Sequence, residues 1–395
     1  MELHVLESRL RALAIFRTLL SDPVLYALQT CLASTADRAN WDALQAYGEF
    51  TARLYRCGGD LARHIQRLVE ENDNVYIRAV GRGETPPDYL TACVKEELTT
   101  LQAAASLTPE DLTLPLLKTY AAYLPRFGVT QVDLAVLYRR RLENLGRCGW
   151  GMFARQHMFY LENGQIVPVG HPDPIQLKDL VDYQREKQLI LHNTRALLEG
   201  KPAANMLLTG DAGTGKSSTV KAVVNELYRE GLRIIEIRKD QLRALPAVLD
   251  ELSENPLKFI LFIDDLSFQK GDDNYSALKA VLEGSVSARS RNVVIYATSN
   301  RRHLVRESFS DREGDDVHRG ETMQEMISLS ERFGLHVTFQ KPNKDTYLAI
   351  VRRLAQVQGV ALEAGTLEAL AERFALERGG RSARAAKQFV DSLAR

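Results

Sequence analysis

The stretch "LLTGDAGTGKSST", Leu207 to Thr219, places three glycines within six residues and follows them with a lysine and two serines. It stands directly after an apolar run and directly before a helical pattern. Gly210-Asp211-Ala212-Gly213-Thr214-Gly215-Lys216-Ser217 fits G-x-x-x-x-G-K-[ST] without a gap. Glycines let successive backbone N–H groups turn inward on phosphate oxygens, and the following helix adds the positive end of its dipole. In such a cradle Lys216 reaches the terminal phosphates and the Ser217 hydroxyl ligates magnesium, with Ser218 completing the first turn. A glycine-rich turn matching by chance would not also sit between a strand and an amphipathic helix.

Working outward, the texture around this stretch is that of an α/β domain. Short apolar runs, "NMLL", "RIIEI", "KFILFI", "NVVIYAT" and "LHVTF", read as strands that alternate with helical patterns. In "SSTVKAVVNELYRE", Val220, Val223, Val224, Leu227 and Tyr228 repeat at i, i+3, i+4, i+7 and i+8, and Gly231 stops the helix. Strands apolar on both faces and separated by helices predict a parallel sheet covered on both sides.

Two further strand ends carry polar groups. "FILFIDDLSF" finishes on Asp264-Asp265, acids that would otherwise be ordinary solvated residues at a strand end. Downstream of a phosphate loop they are placed to hold magnesium through water (Asp264) and to act as base toward an attacking water (Asp265). "VVIYATSN" ends on Thr298, Ser299 and Asn300, and an amide at that point can orient the water or simply shape a turn.

The flanks are helical. Residues 1–155 read as a helical domain whose leucine and aromatic stripes, such as Leu44, Tyr47, Phe50, Leu54 and Tyr55, form core faces. It breaks at Gly58-Gly59, and Thr108 is an N-cap before Pro109. The proline- and glycine-rich "NGQIVPVGHPDPIQLKDL" reads as a linker strapped over the next domain, with the linker taken as residues 156–174. That domain spans 175–341, and residues 342–395 form a helical lid with caps expected at Asn343, Thr366 and Ser382. The polar run "SFSDREGDDVHRGETMQ" reads as a loop.

Composition narrows the function classes. The chain has 395 residues, 45% hydrophobic and 26% charged, which suits two or three globular domains. Lys plus Arg equal Asp plus Glu at 51 each, so no global field recruits nucleic acid or membrane. Four cysteines lack the close spacing of a zinc site or a disulfide framework, consistent with reduced thiols in a cytoplasmic protein. "MELHVLESRLRALAIFRTLL" is broken by three arginines and reads as an amphipathic helix, not a leader. No run approaches the ~20 apolar residues that span a bilayer.

Over residues 175–395 these motifs resemble the AAA+ ATPases. They run in order: "LVDYQREKQLI", the phosphate loop, "FIDD", "ATSN", "SERFG" and a helical stretch with "GRSAR". More narrowly the chain is similar to an uncharacterised bacterial AAA+ family of ATP-binding proteins, of the kind filed as a domain of unknown function. The matching stretches are "LILHNTRALLEGKPAANMLLTGDAGTGKSSTVKAV", "DDLSF", "LKAVLEGS", "VVIYATSNRRHLV" and "SLSERFG".

The resemblance implies ATP and Mg2+ as ligands, Asn300 as sensor 1, and Arg332 as an arginine finger reaching the nucleotide of a neighbouring subunit in a ring or filament. It implies Arg384 as sensor 2, with Arg381 as the alternative, and adenine held by backbone around Leu180 and Val181. Most AAA+ ATPases have glutamate at the position of Asp265, and the narrower family favours an acid at that of Gln269.

Three functions follow. The first is an ATPase that remodels a macromolecular partner. The second is an ATP-dependent assembly switch with slow or absent hydrolysis. The third is a P-loop phosphotransferase, against which the lid and the "SERFG" arginine argue. A protein client or DNA is the expected partner. "SNRRHLVR" and the lid arginines supply local basic clusters for DNA, although finger, sensor and surface roles account for the same residues.

Overall fold

The computed structural model describes residues 2–36, 40–113, 123–267, 273–283, 291–300 and 331–393. Its contacts divide into two units, Met1–Arg155 and Gln156–Arg395.

The first unit is helical, with long helices at Pro23–Ala36, Asn40–Arg56, Leu61–Glu71 and Asp88–Ala105. Tyr47, Phe50 and Leu54 are fully buried, whereas Tyr55, expected on the same core stripe, is half exposed. Position explains the difference: Tyr55 lies one residue past Leu54, roughly 100° round the helix, and its hydroxyl donates to the Arg126 carbonyl oxygen 2.5 Å away. Gly58 and Gly59 both take positive φ and break the chain ahead of Asp60, whose carboxylate caps the helix that begins at Leu61. Thr108 caps the short helix Pro109–Thr113 by accepting from the Asp111 amide at 3.2 Å. Among the described residues, all four cysteines are free thiols and no cluster of three or more His, Cys, Asp and Glu side chains is arranged to hold a metal ion.

The second unit is a seven-stranded sheet. The strands are β1 (Met158–Glu162), β2 (Gln165–Pro168), β3 (Met206–Gly210), β4 (Leu232–Glu236), β5 (Lys258–Ile263), β6 (Val293–Ser299) and β7 (Leu335–Phe339). Their spatial order is β2-β1-β4-β5-β6-β3-β7, and only the β1–β2 pair is antiparallel. The five strands expected from sequence are all present and mutually parallel. Residues 156–174, expected as a linker, instead contribute β1 and β2 to the sheet edge, with Asn163 and Gly164 at positive φ in the turn between them.

Seven helices of this unit bear on the argument: α1 (Gln184–Leu198), α2 (Lys216–Leu227), α3 (Leu245–Ser253), α4 (Asp273–Glu283), α5 (Lys344–Gln358), α6 (Ala364–Glu377) and α7 (Ala383–Leu393). Val220, Val223, Val224 and Leu227 of α2 pack on one sheet face with Leu208, Ile260 and Phe262. Phe259, Leu261 and Ile263 alternate with Ile260 and Phe262 and are equally buried, so β5 is covered on both faces. Burying a side chain of this size stabilises by about 1.5–3 kcal/mol, so the apolar runs and not local propensity hold the strands here.

Helices α5 to α7 close the unit around a core of their own. Asn343 and Ser382 cap α5 and α7, accepting from Thr346 N at 2.8 Å and Ala385 N at 3.0 Å. The cap expected at Thr366 is corrected: α6 starts three residues earlier than that cap would place it, after Glu363, so Thr366 lies inside its first turn. The architecture is a mostly parallel sheet flanked by helices and carrying a helical lid.

Candidate functional site

The register of the parallel strands explains why the polar residues meet. Leu208 of β3 pairs with Thr298 of β6, and Ile263 of β5 pairs with Ala297. The C-terminal ends of β3, β6 and β5 are therefore level. They present Gly210, Asn300 and Asp264 to one place, with β6 lying between the other two.

At the cradle, Gly210, Gly213 and Gly215 take φ of 144°, 80° and 93°. A Cβ on Gly210 would run into the Phe339 carbonyl oxygen at the end of β7, so the loop is threaded too closely for any side chain. Gly215 is the left-handed residue from which α2 starts, which makes Lys216 the first helical residue. Asp211 and Ala212 are exposed at the loop tip, and Ser218 is half buried in the first turn of α2. Thr214 is buried and donates to the Asp211 carbonyl at 2.9 Å.

Lys216 is 5% exposed. Its ammonium donates to Gly210 O at 2.7 Å, Asp211 O at 2.9 Å and Asn300 Oδ1 at 3.0 Å, one acceptor for each proton. Burial holds its pKa below the ordinary lysine value. Asp264, Asp211 and Asp265 pull the other way, and nearby Arg384 adds to the depression.

Opposite the lysine stand the acids. Ser217 Oγ donates to Asp264 Oδ1 at 2.6 Å, and the same oxygen accepts from Thr298 Oγ1 at 2.5 Å. Asp265 takes φ of 54°, a left-handed conformation uncommon outside glycine. Its amide donates to Thr298 Oγ1 at 2.9 Å, and its Oδ1 accepts from Asn300 Nδ2 at 2.7 Å. Asn300 thus touches both the lysine and the second acid. Asp264, Asp265 and Asn300 are exposed, whereas Thr298 and Ser299 beneath them are buried.

The lid arginines divide. The Arg381 guanidinium is engaged within the lid, bonded to both carboxylate oxygens of Glu372 at 2.9 and 2.6 Å. The Arg384 amide instead meets the Gly213 carbonyl at 3.3 Å, and a Cβ on Gly213 would lie 3.0 Å from the Arg384 Cβ. The start of α7 therefore rests on the phosphate loop.

The remaining expected positions lie elsewhere. Arg332 forms an ion pair with Glu283 at the end of α4. The Leu180 carbonyl accepts from the buried Lys187 ammonium, and Val181 packs against the lid core. Immediately after them Asp182 and Tyr183 both take positive φ, and the Tyr183 hydroxyl donates to Gln340 O at 2.5 Å. Gln269, the arginines of "SNRRHLVR" and the run from Ser308 to Gln324 lie outside the described residues.

Two groups escaped the sequence reading. The bridging hydroxyl of Thr298 was visible only as one of three polar residues at a strand tip. Lys341, two residues past β7, stands 3.9 Å from the Asp211 carboxylate, and no motif marks it.

Residues 153–395 match the model of a family described as "Protein of unknown function (DUF815)", more than half of the chain. The chain belongs to the DUF815 family. The match takes in the whole sheet, the phosphate loop and the lid. Among curated proteins, none matches the chain in sequence.

Solved structures similar to the chain include the RuvB Holliday junction branch migration motor of Thermotoga maritima. It is 18% identical with a TM-score of 0.37, over 55% of this chain and 63% of that one. A single-substitution variant of that RuvB is 17% identical with a TM-score of 0.39, over 55% and 64%. The matched part thus spans less than two thirds of either RuvB chain. Among the described residues no helix is long and apolar enough to cross a membrane.

Proposed function

We propose that the chain binds ATP with magnesium and hydrolyses it, acting within a homo-oligomer to remodel or assemble a macromolecular partner. The observation that carries this reading is the connected set over the glycine cradle: Lys216 to Asn300 to Asp265 on one side, Ser217 to Asp264 on the other.

The residues suit magnesium. Ser217 Oγ and the Asp264 carboxylate are hard oxygen donors side by side at an exposed mouth, the set that Mg2+ takes together with phosphate oxygens and water. Bound there, the ion would neutralise charge on the phosphates. Lys216, its protons resting on neutral oxygens, would exchange Gly210 O and Asp211 O for phosphate oxygens. Asn300 and Asp265 would hold the attacking water: its oxygen bonds to the γ-phosphorus, the bond to the β–γ bridging oxygen breaks, and the proton passes to the Asp265 carboxylate. Of the lid arginines, Arg384 fits the sensor role, because Glu372 already satisfies Arg381. Arg332 would serve a neighbouring subunit's nucleotide after leaving Glu283. Leu180 and Val181 would hold the base, and a protein or DNA would be the client.

Isothermal calorimetry with ATP and Mg2+ tests the core of this reading. Saturable uptake is expected in the wild type, with a loss of about 100-fold or more in Lys216→Ala, given the ~2–4 kcal/mol that charge-assisted contacts of this kind contribute. No uptake at millimolar nucleotide would end it.

A slow switch is the second reading. It is favoured by Asp265, whose carboxylate is one methylene shorter than glutamate and already shared with Asn300. Turnover of many cycles per minute, lost in Lys216→Ala, would exclude it.

A further inference from the structure

Thr298 of β6 bonds to the Asp264–Leu266 turn in three ways. Its backbone oxygen accepts from Leu266 N at 2.7 Å. Its hydroxyl accepts from Asp265 N at 2.9 Å and donates to Asp264 Oδ1 at 2.5 Å. The side chain is buried, at 2% exposure, and its single proton and one lone pair are both used. We propose that Thr298 is a positioning residue for the paired acids, setting Asp264 for the metal and Asp265 for the water through one hydroxyl. The proposal rests on the ATPase reading above and deepens it.

The physical case has three parts. First, Asp264 Oδ1 receives both the Ser217 and the Thr298 hydroxyls, so the carboxylate plane is fixed from two sides. Among the described residues Oδ2 has no hydrogen bond and is left for outer ligands. Second, Asp265 holds a left-handed backbone that residues with side chains adopt only under strain. The bond from its amide to the Thr298 hydroxyl offsets that strain and holds the carboxylate within 2.7 Å of Asn300 Nδ2. Third, Thr298 and Asn300 are two residues apart on one strand end, so the same rigid element aims both the acid and its amide partner. A β-branched residue in a strand has little χ1 freedom, which suits a clamp. Valine keeps the shape and loses both bonds of the hydroxyl. Serine keeps both.

The test uses the full chain as wild type, Thr298→Val and Thr298→Ser, with three readouts. Amide hydrogen exchange at Asp265 and Leu266 reports the clamp without any nucleotide. The gain in ATP affinity on adding Mg2+ reports Asp264. Steady-state kcat and KM report Asp265.

In Thr298→Val, exchange at the two amides should quicken, the Mg2+-dependent gain should shrink about 10-fold, and kcat should fall about 100-fold, the scale of a 1 Å misplacement. KM and the Mg2+-free ATP affinity should move less than about threefold. Thr298→Ser should restore all three readouts. The proposal is overturned if Thr298→Val keeps wild-type kcat and Mg2+ gain. It is overturned equally if serine fails to rescue, or if Mg2+-free affinity falls in parallel. Wild type that takes up no ATP would sink the nucleotide reading and this inference with it. Wild type that binds without turnover would sink hydrolysis alone, leaving exchange and the Mg2+ gain to judge Thr298.

Discussion

At Asp265 the backbone, and not only the carboxylate, sets what the residue can do. A φ of 54° is reached most readily by Asp and Asn among residues with side chains. Glutamate, the usual AAA+ residue at this position, would have to adopt the same strained backbone and push its longer carboxylate past Asn300. Asp265→Glu is therefore expected to lower turnover, by about 10- to 100-fold. Asp265→Asn should abolish turnover while leaving ATP affinity within a few-fold. Steady-state ATPase assays beside calorimetry decide this, and a glutamate variant faster than wild type would show that side-chain length limits the native site. At this scale the motif residues Lys216, Ser217 and Asp264 were legible, because spacing alone encodes a phosphate loop and a strand-end acid. The left-handed Asp265 and the bridging Thr298 were not. Backbone angles and cross-strand register leave no mark on one residue's identity.

Among the elements, the contact between α7 and the phosphate loop offers the sharpest prediction. Gly213 takes φ of 80° and lies against Arg384 and Ser382. In Gly213→Ala the new Cβ would meet the Arg384 Cβ at 3.0 Å on a backbone that L residues adopt at a cost of about 1–2 kcal/mol. The expected outcome is a lid displaced from the loop. ATP affinity should weaken roughly 10-fold while the protein stays folded by circular dichroism, and affinity equal to wild type would show that the lid contact plays no part in binding. Helical periods and apolar runs disclosed the five parallel strands and the lid helices. The β1–β2 hairpin was missed because its strands are only five and four residues long and are flanked by glycine and proline, the residues that mark loops. The start of α6 was misjudged because Glu363, which supplies no side-chain cap bond, precedes it, while the better-looking cap, Thr366, sits inside the helix.

For the whole molecule, the DUF815 match begins where the first helical unit ends, so the proposed nucleotide chemistry and the residues before 153 pose separate questions. The proposed oligomer makes Arg332 a residue of two states: paired with Glu283 within its own chain, or turned toward a neighbour's phosphates. Arg332→Ala should leave ATP binding intact and cut turnover by about 1,000-fold or more, the scale of a lost arginine finger. Mixing it with Lys216→Ala should restore part of the activity, since each variant supplies what the other lacks. Sedimentation with and without ATP, alongside the mixed assay, checks this. Additive, uncomplemented rates would mean that each subunit works alone. Which client such an assembly engages was not legible, because a neutral chain carries no global charge pattern to betray one.

The Lys216 ammonium rests on two peptide carbonyls and one amide oxygen, none of them charged. No donor of the ammonium is thus left unsatisfied. On the proposed reading an arriving polyanion would have no ion pair to break at Lys216 and only dipoles to displace, so discrimination between visitors would fall to what lies around the hollow.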